Sequence, residues 1–266
     1  MNIDFGLTAH DYAKHRAGFP GTFFDRVFQA GMIRSGDFLV DLGTGTGTLA
    51  RGFALHGCKV IGLDISTSML EQANQISRQA GLSIEFREAK AENTGLPDST
   101  FDVVSAGQCW HWFDSLRAAQ EVKRILKPNG RVLIAHFDWL PLTNNVVDIT
   151  EKLIRKFNPN WYEGFGNKFG MYPQWCRDLG EAGFLEIQTF SFDVDIPYTT
   201  EDWRGRIRAS SGVGASLSDE EVGRFDSELK SLLEKFEQVS DRRDADGHPV
   251  LLIPHRVFAV CANKSG

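Results

Sequence analysis

The sequence predicts an α/β fold, a parallel sheet flanked by helices, and three observations carry that expectation. From Asp37 to Phe137 short apolar runs alternate with segments of helical period, which is the pattern of βαβ units. The first run, Phe38-Leu39-Val40-Asp41-Leu42, empties into Gly43-Thr44-Gly45-Thr46-Gly47, a turn whose glycines supply positive φ and a bare backbone. The chain has 266 residues, 42% hydrophobic and 24% charged, enough to bury one large α/β core without a disordered or membrane-like composition.

The elements follow in order. Tyr12-Ala13-Lys14-His15-Arg16-Ala17-Gly18-Phe19-Pro20 is rich in aromatic and basic groups and runs into an amphipathic helix over 22–29, so residues 1–36 read as an N-terminal lid or brace. Strands are expected near 38–42, 59–63, 83–87, 101–107 and 131–137, with helices near 46–56, 66–80 and 114–127. Ser66 suits an N-cap and Gly81 a helix stop. After Phe137 the alternation ends. Trp139, Trp161, Tyr162, Phe165, Phe169, Tyr172 and Trp175 then arrive with several glycines, which suits the wall of a substrate pocket. Strands over 184–196 and 250–261 bracket a charged helix over 218–239 and the turn-rich Asp244-Ala245-Asp246-Gly247-His248-Pro249. The expected organisation is a single domain, with 37–137 as the ligand-binding core and 138–183 and 197–249 as insertions on the substrate side.

A net charge of -6 argues against a broad nucleic-acid footprint. The start of the chain lacks a basic segment followed by an apolar stretch, and no apolar run has membrane length. A cytoplasmic protein, without membrane or nucleic-acid partners, is expected. Cys58, Cys109, Cys176 and Cys261 are too dispersed for a Cys-x-x-Cys site and have no histidines at ligand spacing, so they read as reduced thiols and no metal is expected.

The glycine turn narrows the ligand. A dinucleotide fingerprint, Gly-x-Gly-x-x-Gly, needs glycine where Thr48 stands, and a P-loop needs a Gly-Lys-Ser/Thr ending where Thr48, Leu49 and Ala50 stand. A nucleoside with a zwitterionic tail fits what remains, with an acid just ahead of the loop as partner to an amino group, and S-adenosylmethionine has that shape.

Val40-Asp41-Leu42-Gly43-Thr44-Gly45-Thr46-Gly47 resembles the first motif of class I S-adenosylmethionine-dependent methyltransferases, Asp/Glu-x-Gly-x-Gly-x-Gly, at every defined position. Val60-Ile61-Gly62-Leu63-Asp64 resembles the family's acid-ending second strand, Ala91-Glu92 with Leu96-Pro97 the loop that reaches the adenine, and Phe101-Asp102-Val103-Val104 the fourth strand. Leu126-Lys127-Pro128-Asn129-Gly130-Arg131-Val132-Leu133-Ile134 resembles the following helix-turn-strand, with Asn129 where glycine is usual. The resemblance covers roughly residues 37–137. It implies a Rossmann-like, seven-stranded, mostly parallel sheet with one antiparallel strand, helices on both faces and an inserted helical, aromatic cap.

Asp64 closes its strand about twenty residues past the glycine loop, where a carboxylate can accept both ribose hydroxyls; it can also serve the helix that begins at Ser66. Ile65 and Met69 are then adenine contacts or core. Ala91 and Glu92 approach the exocyclic amine of adenine, by the resemblance, or Glu92 is merely solvated. Asp41 either braces the loop or binds the cofactor's α-amino group. Tyr12 and Arg16 suit the methionine carboxylate, since arginine recognises carboxylates bidentately.

Gln108-Cys109-Trp110-His111-Trp112-Phe113-Asp114 follows the fourth strand, at the carboxyl edge where open α/β sheets bind ligands. It resembles a Gln-x-x-His-Trp-Phe motif of a small-molecule subgroup that includes trans-aconitate methyltransferase-like proteins. Gln108 and Trp110 are assigned to the cofactor. His111 is a general base, a group that stacks on or hydrogen-bonds the cofactor, or one that orients the loop, and Trp112, Phe113 and Asp114 otherwise anchor and cap the next helix. His15, His136, His248 and His255 are further pocket candidates. Trp203-Arg204-Gly205-Arg206-Ile207-Arg208 offers either an anchor for an acidic group or a solvated helix face. The resemblance implies methyl transfer from S-adenosylmethionine to an O, N or C nucleophile of a small molecule, leaving S-adenosylhomocysteine, by a monomer or homodimer; the alternative is a non-catalytic cofactor-binding regulator of the same fold.

Overall fold

A computed structural model describes residues 18–161 and 169–265. Tyr12 and Arg16, and with them the expected lid, lie outside the described residues, as do His15, Tyr162 and Phe165. In chain order the first half comprises α1 (Gly21–Gln29), β1 (Phe38–Leu42), α2 (Thr48–Leu55), β2 (Lys59–Asp64), α3 (Thr67–Gln79), β3 (Glu85–Glu88) and β4 (Phe101–Gly107). A short 3-10 turn (Trp110–Trp112), α4 (Ser115–Ile125), β5 (Leu126–Trp139), α5 (Val146–Phe157) and α6 (Gln174–Glu181) follow. The chain then forms β6 (Phe184–Thr199), α7 (Thr200–Arg208), α8 (Asp219–Val239) and β7 (Val250–Lys264).

The seven strands lie in the order β3-β2-β1-β4-β5-β7-β6. The first five pair in parallel, with Asp41 opposite Gly62 on one side and Ser105 on the other. As the chain advances from Leu126 to Leu140, its contacts on the last strand fall from Lys264 (Nζ to the Leu126 carbonyl, 2.6 Å) to Pro254 (accepting from Leu140 N–H, 2.8 Å), so β7 runs antiparallel. β5 begins earlier than the sequence suggests. Phe101 pairs with Leu126 but Val103 with Arg131, so Lys127-Pro128-Asn129-Gly130 is bulged out of register. Asn129 takes φ 60 there, a conformation that asparagine tolerates better than most side chains.

Caps account for the helix starts. Ser66 accepts the Met69 N–H (3.4 Å), Asp114 the Arg117 N–H (3.2 Å), and Ser218 with Glu221 forms a reciprocal capping box. Glu121, on α4, accepts from both the N–H and hydroxyl of Thr94 (2.8 and 2.6 Å) and from Arg124 (2.7 Å), pinning the loop after β3. The Arg124 guanidinium, ahead of the Thr94 bonds, holds the Glu121 carboxyl down at about 2.

Contacts divide the chain into two compact units, each with its own core. The sheet unit comprises Gly18–Phe137, Tyr172–Phe192 and Val257–Gly266; its core joins the inner faces of β1, β2, β4 and β5 to α4 and α6 through Val40, Ile61, Val104, Ile134, Val122 and Leu179. The second unit includes Asp138–Met171 and Asp193–Arg256 and packs α5, α7 and α8 around Ile154, Trp203, Ile207, Phe225 and Leu229. The aromatic insertion is divided accordingly: Tyr172 and Trp175 are buried in the sheet unit's core, Trp139 and Trp161 pack on the second. Among the described residues no helix is long and apolar enough to cross a membrane.

Candidate functional site

Three glycines set the turn between β1 and α2, at φ 57 for Gly43, 54 for Gly45 and 80 for Gly47. Gly43 and Gly45 need glycine for different reasons. A Cβ on Gly43 would stand 2.8 Å from Cys109 Sγ and 2.9 Å from Cys109 Cβ, so that side of the loop is packed; a Cβ on Gly45 would meet none of the described residues within 4 Å, so among them its side is open. The Cys109 thiol also donates to the Leu42 carbonyl (3.1 Å), clasping the end of β1. Sequence reading gave this cysteine no such part, because its partner is 67 residues away.

Asp41 is buried beneath the loop. One carboxylate oxygen accepts the Thr44 hydroxyl and the other the Ser105 hydroxyl, both at 2.7 Å. It braces the loop through the Thr44 hydroxyl. Burial pushes its carboxyl up to about 6, against the pull of Ser105, Thr44 and the Ala50 N–H, and Asp64 adds a like charge. The folded protein therefore binds a proton more tightly than the unfolded chain. That contribution is fully present below the ordinary 3.8 and lost as pH rises through about 6, at a cost of about 3 kcal/mol. Asp41→Asn is expected to remove it: unfolding measured from pH 4 to 7 should show a stability loss in the parent protein that is absent in the variant.

Asp64, at the end of β2, ties the loop to the next turn: its two oxygens accept the Gly45 N–H (2.8 Å) and the Ser66 N–H (2.9 Å). Of the two functions anticipated for it, support of the start of α3 is seen, and the same carboxylate also holds the glycine loop through Gly45. Ile65 beside it is 68% exposed, whereas Met69 is buried on the inner face of α3. Ala91 is buried in the sheet core, and Glu92 accepts the Asp114 N–H (2.9 Å), so this glutamate is engaged at the start of α4.

The segment after β4 turns sharply at Gln108, which has φ 61 and donates its N–H to the Ala135 carbonyl (2.9 Å). Trp110 is fully buried, its indole N–H donated to Asp178 on α6 (3.2 Å). Trp112 stays exposed, and Phe113 packs edge-on against Trp110 at 5.9 Å. His111 lies between Trp112 (ring centroids 4.9 Å) and His136 (5.5 Å). The series continues inward, with His136 stacked on Tyr172 at 4.4 Å and Tyr172 on Trp175 at 4.3 Å. The described ring neighbours of His111 are thus aromatic, and the two histidines share one cluster. His255 is buried in the second unit, where its Nδ1 lies 2.8 Å from the Ile253 carbonyl. His248 stands with Asp244 and Asp246 in an exposed turn, closed by Asp244 accepting the N–H groups of both Asp246 (3.0 Å) and His248 (2.8 Å).

Comparison with known proteins places this geometry. Residues 40–134 match the family described as "Methyltransferase domain". The chain is 31% identical over 176 residues to demethylmenaquinone methyltransferase of Chlorobaculum parvum, covering 60% of this chain and 71% of that one. It is 24% identical over 239 residues to an uncharacterized methyltransferase of Schizosaccharomyces pombe, covering 89% of each. Among solved structures, the YcgJ protein of Bacillus subtilis aligns with a TM-score of 0.57 at 20% identity, over 93% of this chain and 100% of that one. Phosphoethanolamine N-methyltransferase 2 of Haemonchus contortus, solved with phosphomonomethylethanolamine and S-adenosylhomocysteine, aligns with 0.58 at 20%, over 100% of this chain and 61% of that one.

Proposed function

We propose that this chain, which belongs to the class I S-adenosylmethionine-dependent methyltransferases, moves the methyl group to an O, N or C nucleophile of a small molecule. The observation that carries the reading of the donor site is the pairing of an open Gly45 with Asp64, whose carboxylate holds that glycine's N–H (2.8 Å). The residues fit the cofactor. A side chain on Gly45 would fill the space at the loop, and Ile65, next to Asp64 in sequence, presents an exposed apolar surface. A carboxylate has about four lone-pair sites, so Asp64 can accept ribose hydroxyls in addition to its two backbone donors.

In this reading Gly43, Gly45 and Gly47 meet the methionine end, with Asp41 bracing the turn from below. Ile65 covers the adenine, and Ala91, Glu92 and Gln108 line the same edge. Met69 and Trp110 act from the core, through packing. Tyr12 and Arg16 would hold the methionine carboxylate. S-adenosylmethionine supplies a methyl group on a sulfonium, already a good electrophile. The protein's part is therefore positioning and water exclusion, and a base is required only when the acceptor arrives protonated. His111, whose aromatic surroundings hold its ring in place, is proposed for that proton.

The acidic chain and the aromatic environment of His111 support a small, partly apolar acceptor, handled by a monomer or homodimer in the cytoplasm. The test is incubation with methyl-labelled donor and a fractionated cell extract. Label is expected in the low-molecular-mass fraction, with S-adenosylhomocysteine released in equal amount. Label confined to protein or nucleic acid would overturn the small-molecule assignment.

A further inference from the structure

α7 carries three arginines, at positions 204, 206 and 208, that the sequence alone does not tell apart. Helical geometry separates them, because residues four apart share a face and the residue between them points away. Arg204 and Arg208 form a closed network with two carboxylates: both reach Asp226, and both reach Glu201, at 2.8 and 2.9 Å. Arg206 is different. No carboxylate lies within ion-pair distance of it among the described residues, and its guanidinium instead sits over the Trp139 ring, 4.7 Å from the centroid.

That ring is fixed in place. Its N–H is donated to Glu151 (2.8 Å), which also takes the Trp161 N–H (2.7 Å), and Trp203 packs edge-on against it at 5.4 Å. An indole covers the face of a guanidinium but leaves its planar fork of N–H donors at the edge. Taking a cation out of water without an anionic partner is costly, and burial indeed pushes the Arg206 guanidinium below the ordinary arginine range. Asp138 and the Tyr198 hydroxyl attract it from beyond ion-pair distance, while His255, held by burial at about 4, is neutral at physiological pH. One turn further along the chain the Ser210 hydroxyl is also buried with no hydrogen-bond partner among the described residues.

We propose that the second unit holds a carboxylate-recognition site at Arg206 and Trp139. A planar monoanion matches the free fork. The negative charge of Asp138 disfavours a phosphate dianion, and the half-buried Trp139 ring suits an apolar or aryl body beside the carboxylate. The site does not depend on the function proposed above.

The test is calorimetric titration of the full-length protein, saturated with S-adenosylhomocysteine, with benzoate and hexanoate against benzamide and hexanamide. Each carboxylate should bind at least about tenfold more tightly than its amide. Arg206→Met should erase that preference, and Arg206→Lys should keep only part of it, because an ammonium lacks the fork. Carboxylates and amides that bind the parent protein alike, or not at all, would overturn the site, as would a preference that survives Arg206→Met. S-adenosylhomocysteine affinity should be unchanged in both variants. Failure of the parent protein to bind S-adenosylhomocysteine would count against the methyltransferase reading and leave the carboxylate comparison to stand separately.

Discussion

Asp64→Ala is expected to raise the dissociation constant for S-adenosylhomocysteine by about 100-fold or more, because several bonds fail together. The Gly45 N–H and the Ser66 N–H both lose their acceptor, so the upper edge of the loop and the start of α3 come loose from the end of β2. The ribose loses its acceptor as well. Hydrogen bonds to a charged group contribute roughly 1.5–3 kcal/mol each, and about 1.4 kcal/mol is a factor of ten in affinity. Asp64→Asn keeps one acceptor oxygen and should cost about tenfold. Calorimetry on both variants, with melting curves to verify folding, separates the outcomes; an alanine variant that binds as the parent does would remove Asp64 from the site.

The second large effect divides two glycines of one loop. Gly43→Ala forces a side chain into the left-handed region and against Cys109, 2.8 Å from its sulfur, and β-carbon strain with overpacking together should cost about 2–5 kcal/mol of stability. Gly45→Ala has a similar φ but empty space around it, so its stability cost should be only about 1–2 kcal/mol. Its main loss should be in cofactor affinity, since the new methyl occupies the open face. Urea unfolding and S-adenosylhomocysteine titration on the two variants should therefore rank them in opposite orders. If Gly45→Ala binds the ligand normally, the open face is not where the cofactor lies.

Local signals made the sheet unit legible. A glycine turn needs positive φ, an acid ends a strand beside it, and apolar runs have a length that only strands of a covered sheet share. These put β1, β2, β4 and the glycine loop where the structure has them. The second unit was harder to see. Val146, Val147, Thr150, Leu153 and Ile154 have helical spacing and Asn145 caps them, accepting the Asp148 N–H at 2.8 Å, a specific helix where the sequence supports only an inserted helical, aromatic cap without bounds. Trp203 looked like part of a solvated face and is fully buried, its N–H on Thr150 (3.0 Å). Within the candidate site the unreadable part is long-range: Asp41 with Ser105, Cys109 with Leu42 and Trp110 with Asp178 are 64 to 68 residues apart. No periodicity reports such pairs. The same limit left three arginines equivalent until a partner helix brought Asp226 to two of them.

A crystal structure with S-adenosylhomocysteine bound tests the central claim most directly. The account predicts the methionine end against Gly43–Gly47, both ribose hydroxyls within about 2.6–3.0 Å of the Asp64 carboxylate, and the adenine against Ile65. A ligand seated away from Gly45, with Asp64 holding only the Gly45 and Ser66 N–H groups, would contradict it.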